Sequence, residues 1–267
     1  MQFSIIFCTF VGFFCVRTPV VRTRNAHYNN EQTTPNQMKI ALIGYGKMGK
    51  MIESVALSRG HEIVCVIDPF ASTQTFDSPA FRSADVAIEF SRPDAAESNI
   101  RQAIAQNVPV VSGTTGWNAA ALRDELNNDH PGIIWSSNYS VGVNILFAVN
   151  RYLAQLLHHS GGYTPSITEV HHIHKLDAPS GTAVTLRDGI SQELSKNSQQ
   201  PRCPIESIRE GEVPGIHEVR WESEADILTL RHEAKSRQGF ALGAVLAAEY
   251  LAGKRGWHTM TEVMNIN

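Results

Sequence analysis

The chain has 267 residues, 42% hydrophobic and 18% charged, with a formal net charge of −3. That is long enough for a sizeable core and two domains, and it excludes the basic balance usual in a general nucleic-acid binder. The four cysteines, Cys8, Cys15, Cys65 and Cys203, show no metal-ligand spacing, which suits a reduced, cytoplasmic protein.

Residues 1–37 differ in character from the rest. Phe3 to Val16 is apolar but too short for a membrane span. No positive charge precedes it, which argues against a secretory signal. Asn25 to Gln37 is polar and turn-rich, like a disordered linker. The expectation is an over-extended start with Met38 as the working first residue; an anchor or targeting peptide is the alternative.

Met38 to Ile43 reads as a buried strand, followed at once by Gly44-Tyr45-Gly46-Lys47-Met48-Gly49. A helix is predicted over Lys47 to Ser58, with Met48, Met51, Ile52 and Val55 on one face and Gly60 ending it. A second strand, Glu62 to Ile67, ends at Asp68, 24 positions after Gly44. Strand, Gly-x-Gly-x-x-Gly, helix, strand and acid together form a dinucleotide-binding pattern. Gly44 allows a tight turn, Gly46 lets a pyrophosphate approach the backbone, and Gly49 allows close helix–strand packing. The helix N-terminus offers N–H groups to the phosphates. Asp68 would accept hydrogen bonds from a ribose 2′-OH and repel a 2′-phosphate. The reading therefore favours NADH, with Lys47 leaving dual use of NADPH open.

Further strands are predicted at Ala84 to Phe90, Pro109 to Ser112 and Ile133 to Ser136, with helices over Asp94 to Gln106 and Asn118 to Asn127. This alternation implies a Rossmann-like, doubly wound parallel sheet of the α/β class. Ligands then sit beyond the C-terminal strand ends. Gly113, Thr114, Thr115 and Gly116, and Ser137, Asn138, Tyr139 and Ser140, fall in turns there and have groups able to hold ribose and nicotinamide.

Gly142 to His159 is an amphipathic helix with Leu146, Val149, Leu153, Leu156 and Leu157 on its apolar face. His158 and His159 suit its C-terminal dipole. The pattern then changes: a strand from Pro165 to His174, a helix from Ser180 to about Lys196, and strands at Ile205 to Arg209, Gly215 to Ser223 and Ala225 to Glu233, the last two as a hairpin. This is an α+β domain on a separate sheet. Gly239 to Ala252 is a final helix, apolar on Ala241, Ala244, Val245, Ala248 and Leu251.

Chemistry concentrates in Glu169 to Ala183, E-V-H-H-I-H-K-L-D-A-P-S-G-T-A. On a strand His171, Ile173 and Lys175 share one face and His172 and His174 the other. A straight strand would hold His171 and Lys175 roughly 13 Å apart; an end near His174 would swing Lys175 back. Histidine donates protons near neutral pH, and lysine pairs with anions or donates a proton, so the pair suits an acidic substrate whose reduction needs protonation. Three plainer readings stand beside this one: a His172-x-His174 chelate, which lacks a third ligand at a familiar spacing; histidines on a half-exposed strand; and Ser180 as an N-cap alone.

This stretch resembles the signature of the 4-hydroxy-tetrahydrodipicolinate reductase (dihydrodipicolinate reductase) family. The resemblance runs from about Met38 to the C-terminus and includes G-Y-G-K-M-G, G-T-T-G, S-N-Y-S-V-G-V-N and H-E-A-K-S-R-Q-G-F-A-L-G-A. It implies reduction of 4-hydroxy-tetrahydrodipicolinate in lysine biosynthesis through diaminopimelate, with NADH or NADPH and no resident metal. It also implies that His171 gives or takes the proton and Lys175 is a second donor. His172, Gly181 and Thr182 would hold the carboxylates of a small dicarboxylate substrate. Gly44 to Gly49, Asp68, Gly113 to Thr115 and Ser137 to Ser140 would bind the nucleotide. The resemblance further implies a homotetramer built through the second sheet, with residues 38–140 and 237–267 as the nucleotide domain and 141–236 as the substrate and oligomerisation domain. The glycine loop departs from the common G-x-G-G-R-M-G, being one residue shorter with Lys47 near the usual arginine. Asp68 stands where Glu is frequent, without the usual neighbouring arginine. A different Rossmann-type amino-acid or aldehyde dehydrogenase, or a catalytically silent nucleotide sensor, are the alternatives.

Overall fold

A computed structural model of the chain describes residues 37–71, 74–126, 128–195 and 203–266. The expectations for the N-terminal extension lie outside these residues. In chain order the elements are β1 (Lys39–Ile43), α1 (Lys47–Ser58), β2 (Glu62–Ile67), α2 (Pro79–Arg82), β3 (Val86–Glu89), α3 (Pro93–Ala105), β4 (Val110–Ser112), α4 (Ala119–Glu125), β5 (Ile133–Trp135) and α5 (Val141–Ser160). Then come β6 (Thr164–His171), α6 (Gly181–Leu194), β7 (Ile205–Arg209), β8 (Ile216–Glu222), β9 (Ile227–Glu233), α7 (Gln238–Leu251), β10 (Trp257–His258) and α8 (Met260–Val263).

Six strands form a parallel sheet in the order β10-β5-β4-β3-β1-β2. Alternate residues of its central strands feed two cores. Ile40, Leu42, Ile88, Val111 and Ile134 pack against α1 and α7 through Ile52, Val55, Ala244, Val245 and Ala248. Ala41, Ile43, Ala87, Val110 and Ile133 pack on the other side with Phe81, Ile100 and Leu122. A sheet buried on both faces needs continuous apolar strands, which is why K-I-A-L-I and V-A-I-E read so clearly. The alanine and glycine face of α7 allows a close approach: a Cβ on Gly243 would lie 1.7 Å from the Tyr139 carbonyl oxygen.

The second sheet has the order β7-β6-β8-β9, parallel between β6 and β7 and antiparallel elsewhere. Helices α5 and α6 cover one face, burying Leu146, Ala154, Leu157, Leu186, Ile190, Val219 and Trp221 together. The opposite face carries Thr168 and Val170 of β6, Glu218 of β8 and Arg231 of β9, the last two ion-paired at 3.2 Å.

The structure departs from the sequence reading in three places. The buried stripe of α5 is Val143, Leu146, Asn150, Ala154 and Leu157, whereas Val149 and Leu156 are 42% and 48% exposed. Apolar residues occupy so much of this helix that periodicity could not choose the face. The contact with α6 chose it, admitting Asn150 because its Nδ2 donates to the Leu186 carbonyl at 3.0 Å. Strand β6 stops at His171 rather than His174, since the Lys175 N–H donates to the His172 carbonyl and turns the chain. The short elements α2, β10 and α8 have two to four residues each, too few for a periodic signal.

Gly243→Ala should destabilise the protein by about 1–3 kcal/mol, the range for overpacking a tight contact. Urea unfolding is the measurement, with Gly253→Ala, in open space but at φ +74°, as a comparison for backbone strain alone.

Candidate active site

The glycine loop is built for close approach. Gly44 has φ +89°, and a Cβ there would lie 2.2 Å from the Phe90 carbonyl oxygen. A Cβ on Gly49 would strike the Gly44 carbonyl oxygen at 2.3 Å, so α1 packs directly on the turn. Gly46 faces open space and caps α1 without a side-chain hydrogen bond. The N–H groups of the first helical turn are thus open to an anion, as a pyrophosphate requires. Lys47 is exposed, and Met48 and Tyr45 are half-buried, the Tyr45 hydroxyl donating to Glu53 Oε2 at 2.5 Å. A cavity of about 360 Å³ beside Gly44 and Gly46 is lined by Asp68, Phe70, Phe90 and Arg92. These residues fit a nucleotide: a glycine cradle, an unshielded helix start, an apolar wall and an acid.

Asp68 has a second occupation the sequence did not reveal. Its Oδ2 accepts from the Tyr45 N–H at 2.8 Å, and its Oδ1 accepts from Phe70 and Ala71 N–H at 2.8 and 3.1 Å. The Tyr45 bond chiefly holds this carboxyl below its ordinary value. A carboxylate has about four acceptor positions, so Asp68 shapes its own loop and retains capacity for a ribose hydroxyl.

The turns after β3, β4 and β5 cluster at the same sheet edge, each anchored from beneath. Glu89, fully buried, accepts from Ser112 Oγ at 2.6 Å, Thr114 Oγ1 at 2.9 Å, the Ser91 N–H at 3.0 Å and the Ser91 hydroxyl. Trp117 and Trp135 both donate to the Thr114 carbonyl at 2.8 Å. Gly113 packs on the Phe90 ring. Thr114 is therefore a framework residue whose side chain points inward, and Thr115 is the exposed member of the pair. The Tyr139 side chain is likewise core, 1% exposed, its hydroxyl in reach of the Ser112 and Ile134 carbonyls. Ser140 caps α5 by accepting from the Val143 N–H, and Ser137 is exposed in the turn before it. Asn138 Oδ1 accepts from the Ser140 N–H at 2.8 Å, while its Nδ2 donates to Thr182 Oγ1 at 3.1 Å. That last bond ties the turn after β5 to the start of α6.

Around α6 the second sheet gathers its ionisable groups on the helix-covered face. The i, i+2 spacing of Glu169 and His171 puts both there. Glu169 is fully buried, its Oε2 bonded to His171 Nδ1. Its Oε1 accepts from the Arg209 guanidinium at 2.9 Å and from the Ser180 N–H at 3.4 Å. Burial pushes the Glu169 carboxyl up, but Arg209, Ser207 and His171 outweigh it and hold it below its ordinary value. Burial also pushes His171 below its usual value; Glu169 opposes this, and the Lys175 and Arg209 charges reinforce it. The His217 ring stands edge-on to His171 at 5.0 Å between centroids and shares a 3.2 Å hydrogen bond with Ser180 Oγ. Burial drives His217 down to about 4.

Because β6 ends at His171, Lys175 sits on a loop folded back towards it, close enough for its charge to act on both His171 and His217. Its Nζ pairs with Asp177 Oδ1 at 2.8 Å. His172 is half-buried, and His174 is exposed beside Glu212. The two rings are 6.1 Å apart. Gly181 and Thr182 open α6, capped by Ser180 Oγ accepting from the Ala183 N–H, and a Cβ on Gly181 would meet nothing within 4 Å. Glu169, His171 and His217 bring one possible metal-ligand atom each within 4.8 Å of one another; Glu169 already carries the Arg209 guanidinium. Sequence reasoning missed Glu169, Arg209 and His217. Only Glu169 had a local signal, its strand spacing to His171. Arg209 and His217 come from other strands through sheet pairing.

A parallel sheet with a glycine-rich βα turn, joined to a mixed sheet carrying a buried carboxylate and two buried histidines, defines a two-domain nicotinamide-dependent oxidoreductase. Residues 38–139 match the family described as dihydrodipicolinate reductase, N-terminus, and residues 142–264 match dihydrodipicolinate reductase, C-terminus. The chain belongs to the dihydrodipicolinate reductase family. It is 44% identical over 237 residues to the 4-hydroxy-tetrahydrodipicolinate reductase of Christiangramia forsetii, covering 85% of this chain and 98% of that protein. It is 37% identical over 250 residues to that of Clostridium novyi, with the same coverage, 85% and 98%. The fold is similar to that of a dipicolinate-bound dihydrodipicolinate reductase from Paenisporosarcina sp. TG-14, with TM-score 0.68 and 22% identity over 86% of this chain and all of that one. Among the described residues no helix is long and apolar enough to cross a membrane.

The buried histidines make stability depend on pH. His217 stays neutral in the folded chain down to about 4, whereas the ordinary histidine value of 6.5 applies when unfolded. Between these values the unfolded state binds the extra proton, so stability falls as pH falls from 6.5, by up to about 1.4 kcal/mol per pH unit for this one group. His171 and His232 are shifted in the same direction. Urea unfolding at pH 6.5 and pH 5 should show the loss, with a shallower slope in His217→Gln.

Proposed function

We infer that this chain is an NAD(P)H-dependent reductase that converts 4-hydroxy-tetrahydrodipicolinate to tetrahydrodipicolinate, in lysine biosynthesis through diaminopimelate. One hydride and one proton enter and one water leaves. The observation that carries the reading beyond family membership is the Asn138–Thr182 hydrogen bond. It joins a turn at the nucleotide sheet's edge to the helix start beside the His171 site.

When bound, the nicotinamide supplies the hydride. The chain's own part is binding, orientation and proton handling. The first-turn N–H groups of α1, beginning after Gly46, receive the pyrophosphate, and Asp68 takes a ribose hydroxyl. Thr115 and the main chain of Gly113, Thr114 and residues 137–140 border the nicotinamide end. The helix start at Gly181 and Thr182 receives one substrate carboxylate, with His172 at its side. Lys175 exchanges Asp177 for substrate charge, and His171 delivers the proton from Nε2, since Nδ1 is held by Glu169. A small dicarboxylate is the chemistry these groups recognise, in keeping with the dipicolinate in the Paenisporosarcina structure's description.

We assign residues 38–140 and 237–267 to the nucleotide-binding domain and 141–236 to substrate binding and assembly. NADH is the favoured cofactor, because Asp68 opposes a 2′-phosphate; Lys47 keeps NADPH within reach. Assembly into a homotetramer through the uncovered face of the second sheet, and work in the cytoplasm, complete the reading. The thiol-dependent aldehyde dehydrogenase alternative has little support: burial raises Cys65 above its ordinary value and pushes Cys203 up to about 11, the opposite of an activated nucleophile. A silent nucleotide sensor has no need of the buried, hydrogen-bonded His171.

Purified protein supplied with fresh substrate should consume NADH faster than NADPH, followed by absorbance. His171→Ala should lower kcat by about 10²–10⁴-fold, the usual contribution of a general acid, with an unchanged circular dichroism spectrum. Turnover equal to wild type in that variant would rule out His171 as the proton donor. Asp68→Ser should erode the NADH preference by about tenfold, the worth of one charge-assisted hydrogen bond, read as kcat/KM for each cofactor.

A further inference from the structure

Arg209 makes more contacts into the site than any one reaction step asks of it. Its NH2 donates to Glu169 Oε1 at 2.9 Å and to the Asp177 carbonyl at 2.6 Å. Its Nε donates to the Lys175 carbonyl at 3.3 Å, and its NH1 to the Ile208 carbonyl at 2.8 Å. One planar guanidinium thus holds the strand that bears His171, through Glu169, and the middle of the loop that bears Lys175, through the Lys175 and Asp177 carbonyls. Arg209 sits directly opposite His171 in the β6–β7 register, so a stiff sheet places it. The Glu169 carboxylate in turn bonds His171 Nδ1. A carboxylate acceptor there requires the proton on Nδ1 and leaves Nε2 to serve the substrate. Nε2 lies beside Gly215, where a Cβ would come within 3.1 Å of it; a side chain at that position would crowd the working nitrogen.

We propose that Arg209 and Glu169 form one positioning unit that sets the tautomer of His171 and the placement of Lys175 together, so that the two proton-handling groups are aligned by a single ion pair. The inference rests on the reductase reading for its kinetic test but not for its structural one. The groups facing His171 are Glu169 on its own strand, Arg209 on β7, His217 on β8 with His232 of β9 beyond it, and Lys175 on the loop, itself paired with the exposed Asp177. Of these, Glu169 is the one that raises His171's proton affinity, while burial, Lys175 and Arg209 lower it. Removing the Glu169 charge therefore moves the His171 titration downward in pH. If protonated His171 is the working acid, the alkaline limb of kcat moves downward with it.

The test begins on unaltered protein, with ¹⁵N-histidine NMR of His171, assigned by its loss in His171→Gln. The expected result is a proton on Nδ1 in the neutral ring; a ring protonated on Nε2 alone would overturn the proposal with Glu169 and Arg209 both left unaltered. Glu169→Gln should then shift the His171 titration and the alkaline limb of kcat to lower pH, and lower kcat by about 10–100-fold, as loss of a histidine-orienting partner typically does, with KM for the substrate moved less. Arg209→Lys should lower kcat and raise KM, since it frees the Lys175 loop as well. The double variant should be no worse than the poorer single one, because groups acting as a unit are non-additive. Additive losses, or an unmoved titration in Glu169→Gln, would refute the shared unit. An inactive wild type with the expected NMR result would instead count against the reductase reading alone.

Discussion

A carboxylate buried without any solvent exposure must be compensated or it will not stay ionised. Glu169 meets that constraint at the centre of the second sheet, and much of the site follows from it. Arg209 neutralises it, His171 and the Ser180 N–H take its remaining acceptor capacity, and Ser180 then caps α6 and meets His217. Compensation of one charge thereby fixes a histidine ring, a helix start and a loop. An uncompensated Glu169 would leave α6 without a firm origin and His171 without a preferred tautomer.

The nucleotide sheet solves the same problem with neutral donors. Glu89 sits at the end of β3 and is satisfied by Ser91, Ser112 and Thr114. It ties the turns after β3 and β4 into one surface, and the two indoles on the Thr114 carbonyl, one of them Trp135 at the end of β5, complete that anchoring. Both carboxylates lie under the functional surface rather than on it. Each converts burial of charge into rigidity of the groups above, which is what hydride transfer between two held partners demands.

The two sheets meet through Asn138, and the geometry there has little tolerance. Gly243 lets α7 lie against the Tyr139 backbone. Tyr139 is pinned by its hydroxyl, and Asn138 beside it reaches Thr182. Packing against the first sheet thus reaches, through the two consecutive residues Tyr139 and Asn138, to the start of α6. Asp68 shows the same economy: three backbone N–H groups bind it, so the shape of the loop beside the glycine turn depends on one side chain.

Local pattern carried far. Glu62 to Ile67 and Ile205 to Arg209 were legible to the residue and Lys47 to about Ser58 nearly so, because their periods and their glycine stops act within a few residues. The cofactor loop and the His171 stretch were legible for the same reason, their chemistry being contiguous in the chain. The face of α5 was not, since apolar residues lie on more than one side and only contact with α6 selects Asn150 over Val149. Nor was the end of β6, where a turn bond at His172 brings Lys175 round. The sequence by itself determined the two sheets, the cradle at Gly44 to Gly49 and the His171–Lys175 stretch as the candidate for proton handling. Only the tertiary structure decided which groups surround them: Arg209 and His217 reach His171 across strand pairings 38 and 46 residues distant in the chain, and no local period encodes a contact made by sheet register.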